Sequence, residues 1–85
     1  MKQVTENKLR SWLEECYRTD ASHMLLVVDR SEDFVINPVK VSKSENVDTI
    51  ELFYSQLPET EVVEIYSMKH SLEEQMSAFE PVFNY

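Results

Sequence analysis

Residues 29–33 are the stretch of this sequence that comes closest to a metal-binding loop. Their first, third and fifth positions carry side-chain oxygens, as the opening of a calcium-binding loop does. Such a loop also needs glycine at its sixth position and glutamate at its twelfth, whereas this chain has Phe34 and Lys40 there. The segment therefore predicts a solvated turn between two strands, and no cation site.

Histidine and cysteine are the other side chains that could bind a metal or supply a nucleophile and its base. His23 and His70 lie in different predicted elements, without the spacing of metal ligands. A zinc site would also need carboxylate ligands, and the sequence does not indicate which ones. Nucleophilic catalysis would need an exposed and activated thiolate at Cys16, which instead lies in an apolar helical row that predicts burial. We therefore expect no metal, no cofactor and no catalytic dyad.

The absence of glycine from the whole sequence removes several catalytic frameworks. Phosphate-binding loops, nucleophile elbows and dinucleotide fingerprints all use glycine for positive φ or for close backbone approach. The adjacent carboxylates at 14–15 and 73–74 lie in predicted helices, where neighbouring side chains diverge and do not meet at one substrate atom. We predict a protein that is not an enzyme, with positive-φ turns formed by asparagine or aspartate.

The net charge of −8 belongs entirely to the second half of the chain. Residues 1–44 contain seven acidic and seven basic side chains, whereas residues 45–85 contain nine carboxylates and Lys69 alone, so that 1 − 9 gives −8. A one-sided acidic field repels phosphate and attracts basic surfaces. The expected partner is therefore a protein with a basic surface, and direct binding of nucleic acid is not expected.

The acidic half also suggests how such a partner would be recognised. Carboxylates that neighbour one another would resemble backbone phosphates and compete for the basic groove of a nucleic-acid-binding protein, with salt-sensitive affinity. The alternative is that the acidic surface only keeps a small protein soluble. The candidate partner-binding residues are Glu45, Asp48, Glu51, Glu61 and Glu64.

Hydrophobic periodicity predicts a first helix and then a central strand. Thr5 is the expected N-cap of the helix. Residues 24–28 are five consecutive apolar residues, which is typical of a strand that is covered on both faces. The apolar stripe of the helix consists of Leu9, Trp12, Leu13, Cys16 and Tyr17.

The rest of the chain predicts two more strands and two more helices. Residues 34–41 form the second strand, which Pro38 either places at a sheet edge or breaks, because proline lacks a backbone donor. A helix follows at 46–57, a third strand at 60–68, and a short helix opened by a Ser71–Glu74 capping box. The expected buried face of the middle helix consists of Val47, Ile50, Phe53, Tyr54 and Leu57.

These elements predict one α+β domain over residues 1–85, in the order α-β-β-α-β-α. With the apolar strand central, the sheet is three-stranded and mostly antiparallel in the order 2-1-3, with the helices packed on one face. There is no signal-like segment and no apolar run long enough to span a membrane, and the lone cysteine fits a reducing compartment. We expect a soluble cytoplasmic protein without a membrane partner.

The C-terminal tail carries several apolar side chains: Phe79, Val82, Phe83 and Tyr85. They either pack back onto the sheet or anchor an interface, in a homodimer or on a partner. The tail supports an alternative function, that of a structural or oligomeric accessory protein that uses an apolar C-terminal surface.

Two parts of the sequence resemble a family of small uncharacterised bacteriophage and prophage proteins. The run His-Met-Leu-Leu-Val-Val-Asp at 23–29 and the run Asn-Pro-Val-Lys-Val at 37–41 are similar to that family, as are 64–68, 72–76 and 83–85. The resemblance spans residues 23–85. It implies a phage-derived accessory protein in the cytoplasm of a bacterial host, where inhibitors of defence nucleases are often small and acidic.

Overall fold

The computed structural model describes residues 4–77. Over this range it confirms the α+β class and the order α-β-β-α-β-α. The elements are α1 (Glu6–Arg18), β1 (Ala21–Asp29), β2 (Val35–Ser42), α2 (Val47–Gln56), β3 (Thr60–Ser67) and α3 (Leu72–Ser77).

The sheet has the predicted order, with β1 in the centre and antiparallel neighbours on both sides. Pro38 lies opposite Leu26 in the register of β1 with β2. Because β2 is an edge strand of this sheet, the missing N–H of proline is tolerated there. The edge position that Pro38 predicted is confirmed.

Alternate side chains of β1 enter two separate apolar clusters. Met24, Leu26 and Val28 pack with α1 and α3, whereas Leu25 and Val27 pack with α2. The prediction that all helices pack on one face is therefore wrong, since α1 and α3 cover one face of the sheet and α2 covers the other. Helices on one face alone would leave Leu25 and Val27 in water. We call the two sides the α1 face and the α2 face.

α1 forms as its sequence predicts. The Thr5 hydroxyl oxygen accepts a hydrogen bond from the backbone N–H of Lys8 at 3.2 Å, which caps the helix. Leu9, Leu13 and Cys16 are buried against the sheet. The rest of the predicted stripe, Trp12 and Tyr17, is partly buried and packs against the same cluster.

α2 buries a narrower face than its sequence predicts. Val47, Ile50 and Tyr54 pack against the sheet, but Phe53 and Leu57 are exposed, so their predicted burial is wrong. Phe53 lies about 100° around the helix from its neighbour Tyr54. Leu57 is the C-cap, beyond the last helical residue, so helical periodicity no longer positions it.

The connection between β1 and β2 is the solvated turn that residues 29–33 predict. A short 3-10 helix, Arg30–Glu32, begins where Asp29 Oδ1 accepts the backbone N–H of Ser31 at 3.0 Å. Two residues then have positive φ, Asp33 at 59° and Phe34 at 58°. Aspartate was expected in this conformation, whereas the phenylalanine was not, since a Cβ there costs about 1–2 kcal/mol.

The capping box of α3 is confirmed. The backbone N–H of Ser71 donates to Glu74 Oε1 at 3.1 Å, and the backbone N–H of Glu74 donates to the Ser71 hydroxyl at 3.2 Å. Hydrogen bonds to the Glu74 carboxylate from the backbone and the side chain of Ser71 lower the pKa of Glu74, because they favour its charged form. The aromatic tail at 79–85, and with it the predicted homodimer contact, lies outside the described residues.

The substitution Leu26→Ala should lower the free energy of unfolding by about 2–5 kcal/mol, because it leaves a cavity beside a fully buried position. The matched substitution Leu52→Ala, at a side chain that is 57% exposed, should change it by about 0.5 kcal/mol or less. Urea denaturation followed by circular dichroism measures both. Equal losses in the two variants would contradict the assignment of the core.

Candidate functional site

Three of the five candidate residues lie on α2 or on the turn that precedes it. The side-chain oxygen of Asn46 accepts the backbone N–H of Asp48 at 2.9 Å and so begins the helix. Asp48 is exposed in the first turn, where the helix dipole favours a carboxylate. Glu45 is exposed and accepts the backbone N–H of Ser42 at 2.9 Å, while Glu51 is half-buried. We call Glu45, Asp48 and Glu51 the α2 acidic group.

The other two candidates, Glu61 and Glu64, lie on β3 and are exposed. In the register with β1, Glu61 is opposite Val28 and Glu64 is opposite Leu26. Residues directly opposite each other share a face of the sheet, and both β1 partners belong to the cluster on the α1 face. Glu61 and Glu64, which we call the β3 acidic group, therefore lie on the α1 face.

A β-bulge places the β3 acidic group on one face. The register shifts between Leu26 and Val27, and this shift leaves Val63 without a partner in the ladder. Two residues that are three apart in a regular strand would point to opposite faces. The extra residue restores the parity, so that Glu61 and Glu64 point the same way.

Local contacts agree with this placement. Burial raises the pKa of Tyr66 to about 12, and the nearby carboxylate of Glu64 adds to the increase. Tyr66 packs against the cluster on the α1 face, so Glu64 exerts its charge on that face. Glu61 forms an ion pair with Arg30, with a nitrogen–oxygen distance of 3.6 Å.

The five candidates therefore form two groups on opposite faces of the sheet, and a flat partner surface would meet one group at a time. Asp48 and Glu51 have no described basic side chain within salt-bridge distance, whereas Glu61 is paired with Arg30. Unpaired carboxylates retain their full charge for a partner. The α2 acidic group is thus the stronger candidate for docking.

α2 also carries an exposed apolar surface that the sequence analysis missed. The exposed fractions are 57% for Leu52, 56% for Phe53 and 37% for Leu57, and we call these residues the α2 apolar patch. Leu52 follows Asp48 by one helical turn, on the polar side of α2. That interruption of the amphipathic pattern is the sequence signal that would have revealed the patch.

Cys16 is buried, as its position in the α1 stripe predicts. Burial raises the pKa of its thiol, an effect that the charge of Lys40 partly offsets. The residue lines a small cavity of about 140 Å³ together with Trp12, Met24 and Pro38. A protonated thiol with almost no exposed surface is a poor nucleophile.

The histidines make local contacts in separate elements. His23 Nδ1 lies 2.9 Å from the Ser22 hydroxyl, and His70 Nδ1 lies 4.0 Å from a carboxylate oxygen of Glu74. Within residues 4–77, no group of three or more His, Cys, Asp or Glu side chains is arranged to hold a metal ion. None of the helices in the described part of the chain has the length and apolar character needed to cross a membrane.

The thiol of Cys16 should react with a thiol-specific reagent at least about tenfold more slowly in the native protein than in urea, because reaction requires opening of the core. The double variant Cys16→Ser/Ser11→Cys moves the thiol to the exposed side of α1 and should react at nearly the unfolded rate. Stopped-flow absorbance measures both rates. Fast native labelling of the parent chain would revive a nucleophilic role.

Titration of Tyr66 tests the placement of the β3 acidic group. Ultraviolet absorbance should show one tyrosine ionising near pH 12, a step that Tyr66→Phe removes. Glu64→Gln should lower this pKa, because no carboxylate then repels the phenolate, whereas Glu51→Gln on the α2 face should leave it unchanged. Since the folded-state pKa lies above 10.0, the corresponding stability is present below pH 10 and lost as the pH rises. Equal shifts in both variants would contradict the two-face arrangement.

Comparison with known proteins finds no matching family model, no similar curated protein and no similar solved structure.

Proposed function

We propose that this chain is a non-enzymatic protein-interaction module whose acidic half docks on a basic surface of a protein partner. The observation that supports it is the charge of the ordered second half. Residues 45–77 contain eight carboxylates and Lys69 alone, so 1 − 8 gives −7, whereas residues 4–44 contain six basic and seven acidic side chains, so 6 − 7 gives −1. No charged side chain among the described residues is buried. The charge is therefore carried on α2, β3, α3 and their connecting turns, where a partner can reach it.

The ion pairs of the fold also neutralise the first half of the chain more than the α2 acidic group. Asp20 pairs with Lys43 at 3.2 Å, and Glu15 pairs with Arg18 at 2.5 Å, so acidic groups of the first half are partly neutralised locally. The α2 acidic group has no such partner among the described residues. Its field therefore extends into solvent over about a Debye length, roughly 8–10 Å at physiological salt.

A partner with a basic groove for nucleic acid is the class that this surface fits best. Carboxylates on ordered elements have fixed positions, as backbone phosphates do, and would compete for the lysines and arginines of such a groove. Together with the resemblance to phage proteins, this leads us to propose a host nucleic-acid-binding or defence protein as the partner, in a bacterial cytoplasm. The proposed contact residues are those of the α2 acidic group, with Glu61 and Glu64 as a separate second site.

The double variant Asp48→Lys/Glu51→Lys should lose the captured partner, because it reverses the charge of the proposed docking surface. The measurement is an affinity pull-down from bacterial lysate, repeated from about 0.05 M to about 0.5 M salt and read by quantitative mass spectrometry. The partner of the parent chain should be the protein whose capture declines with salt and disappears in this variant.

A matched control makes the same change of net charge in the first half. Glu14 and Glu32 are exposed and lie outside the α2 acidic group, so Glu14→Lys/Glu32→Lys should retain the partner. A third variant, Glu61→Lys/Glu64→Lys, tests the second site independently. Capture that survives Asp48→Lys/Glu51→Lys and is insensitive to salt would show that the acidic docking proposal is wrong.

A further inference from the structure

The residues of the α2 apolar patch belong to neither apolar cluster of the described fold. The inner face of α2 is already formed by Val47 and Ile50 together with Tyr54, which cover the α2 face of the sheet. Leu52 and Phe53 keep more than half of their surface in water. Single exposed apolar residues are common, whereas three large ones along one helix and its C-cap provide apolar surface that is available to a partner.

The patch is held in a defined position by the end of α2. The ring of Phe53 contacts the ring of Tyr54 edge to face, with 5.1 Å between centroids and 85° between planes. The backbone N–H of Leu57 donates to the Tyr54 carbonyl at 3.3 Å, and the Thr60 hydroxyl donates to the same oxygen at 2.5 Å. An aromatic side chain that is already ordered loses little conformational entropy when a partner covers it.

Carboxylates border the patch along the helix. Asp48 lies one turn before Leu52, and Glu59 lies two residues after Leu57. An apolar centre with a charged rim is the usual anatomy of a protein interface, and here the rim is acidic. The complementary surface has apolar side chains flanked by lysine or arginine.

The acidic rim and the net charge of the chain determine which kind of molecule can cover the patch. A second copy of the chain would bring another net charge of −8 against the same acidic rim, so charge disfavours self-association here. Anionic lipid would be repelled for the same reason. The span from Asp48 to Leu57 is about 14 Å, which matches two to three turns of an approaching helix.

We infer that the α2 apolar patch, with Phe53 at its centre, is the anchor for a basic amphipathic helix of the partner. The inference rests on the proposed function, and it specifies which part of the partner binds to the outer side of α2. Apolar side chains of the partner helix contact Leu52 and Phe53, while its lysines or arginines face Asp48 and Glu59, the carboxylates that border the patch. This is recognition of an amphipathic helix by an exposed apolar surface.

The test uses the full chain and a synthetic leucine–lysine peptide of about 18 residues, with leucines along one helical face. Binding is measured by fluorescence anisotropy of the labelled peptide. Phe53→Ser should weaken binding about tenfold or more, because it removes a central aromatic anchor. The matched variant Phe53→Leu keeps an apolar side chain and should weaken binding by about threefold or less. Circular dichroism and urea denaturation should show that both variants fold like the parent.

Two control peptides separate the anchor from the acidic rim. A peptide with glutamine in place of lysine should bind more weakly, and one with glutamate in place of lysine should not bind. If Phe53→Ser changes binding by no more than about twofold, Phe53 is not the anchor. The acidic docking proposal would still be tested separately by the lysate experiment. Equal binding of the lysine and glutamine peptides would overturn the basic character of the partner.

Self-association is tested in the same preparation. Sedimentation velocity should find the parent chain monomeric at the concentrations used for peptide binding. A dimer that Phe53→Ser converts to monomer would assign the patch to a second copy of the chain and overturn the inference.

Discussion

The fold depends on one constraint, which is that the central strand must be covered on both faces. Met24, Leu25, Leu26 and Val28 have no exposed surface in the folded chain. Successive residues of a strand point to opposite sides, so this apolar run creates two faces that need cover. α1 and α3 share one face, and among the described elements α2 alone is left for the other. Since α2 is the only described helix on that face, no other described helix covers its outer side.

The same constraint explains which parts of the fold could be predicted from the sequence. Helical spacing in α1 and the apolar run of β1 are local signals, and they were sufficient for the element order and for the strand order. Pro38 added the position of β2, since proline is tolerated only at an edge. These signals agree with one another, as expected for a sequence with little conflict between local and global structure.

What could not be predicted depends on contacts that are distant in sequence. The apolar run of β1 already indicates that both faces are covered, whereas the assignment of each helix to a face and the rotation of α2 that exposes Phe53 depend on distant contacts. The faces of Glu61 and Glu64 depend on a single bulge at Val63. This strand has no glycine, and none of its residue types predicts a bulge. One extra residue reverses the face of every side chain beyond it. The face of Glu64 relative to Glu61 therefore could not be predicted from regular strand alternation.

Charge and packing have separate roles in this molecule. The ion pairs Asp20–Lys43 and Arg30–Glu61 are between exposed side chains, and such pairs contribute about 0–1 kcal/mol each. The apolar clusters provide the packing of the fold, and among the acidic side chains of the second half Glu45 and Glu74 add hydrogen bonds to the backbone.

An acidic field and an apolar anchor would act at different stages of binding. The field accelerates encounter with a basic partner over a distance of about a Debye length, and it fails at high salt. Apolar contact acts only at close range and prolongs the complex, which is where most differences in affinity arise. Both features lie on the outer side of α2, the element whose inner side the central strand requires. Leu52 and Phe53 belong to neither apolar cluster of the described residues, so a partner would cover them without any loss of core packing.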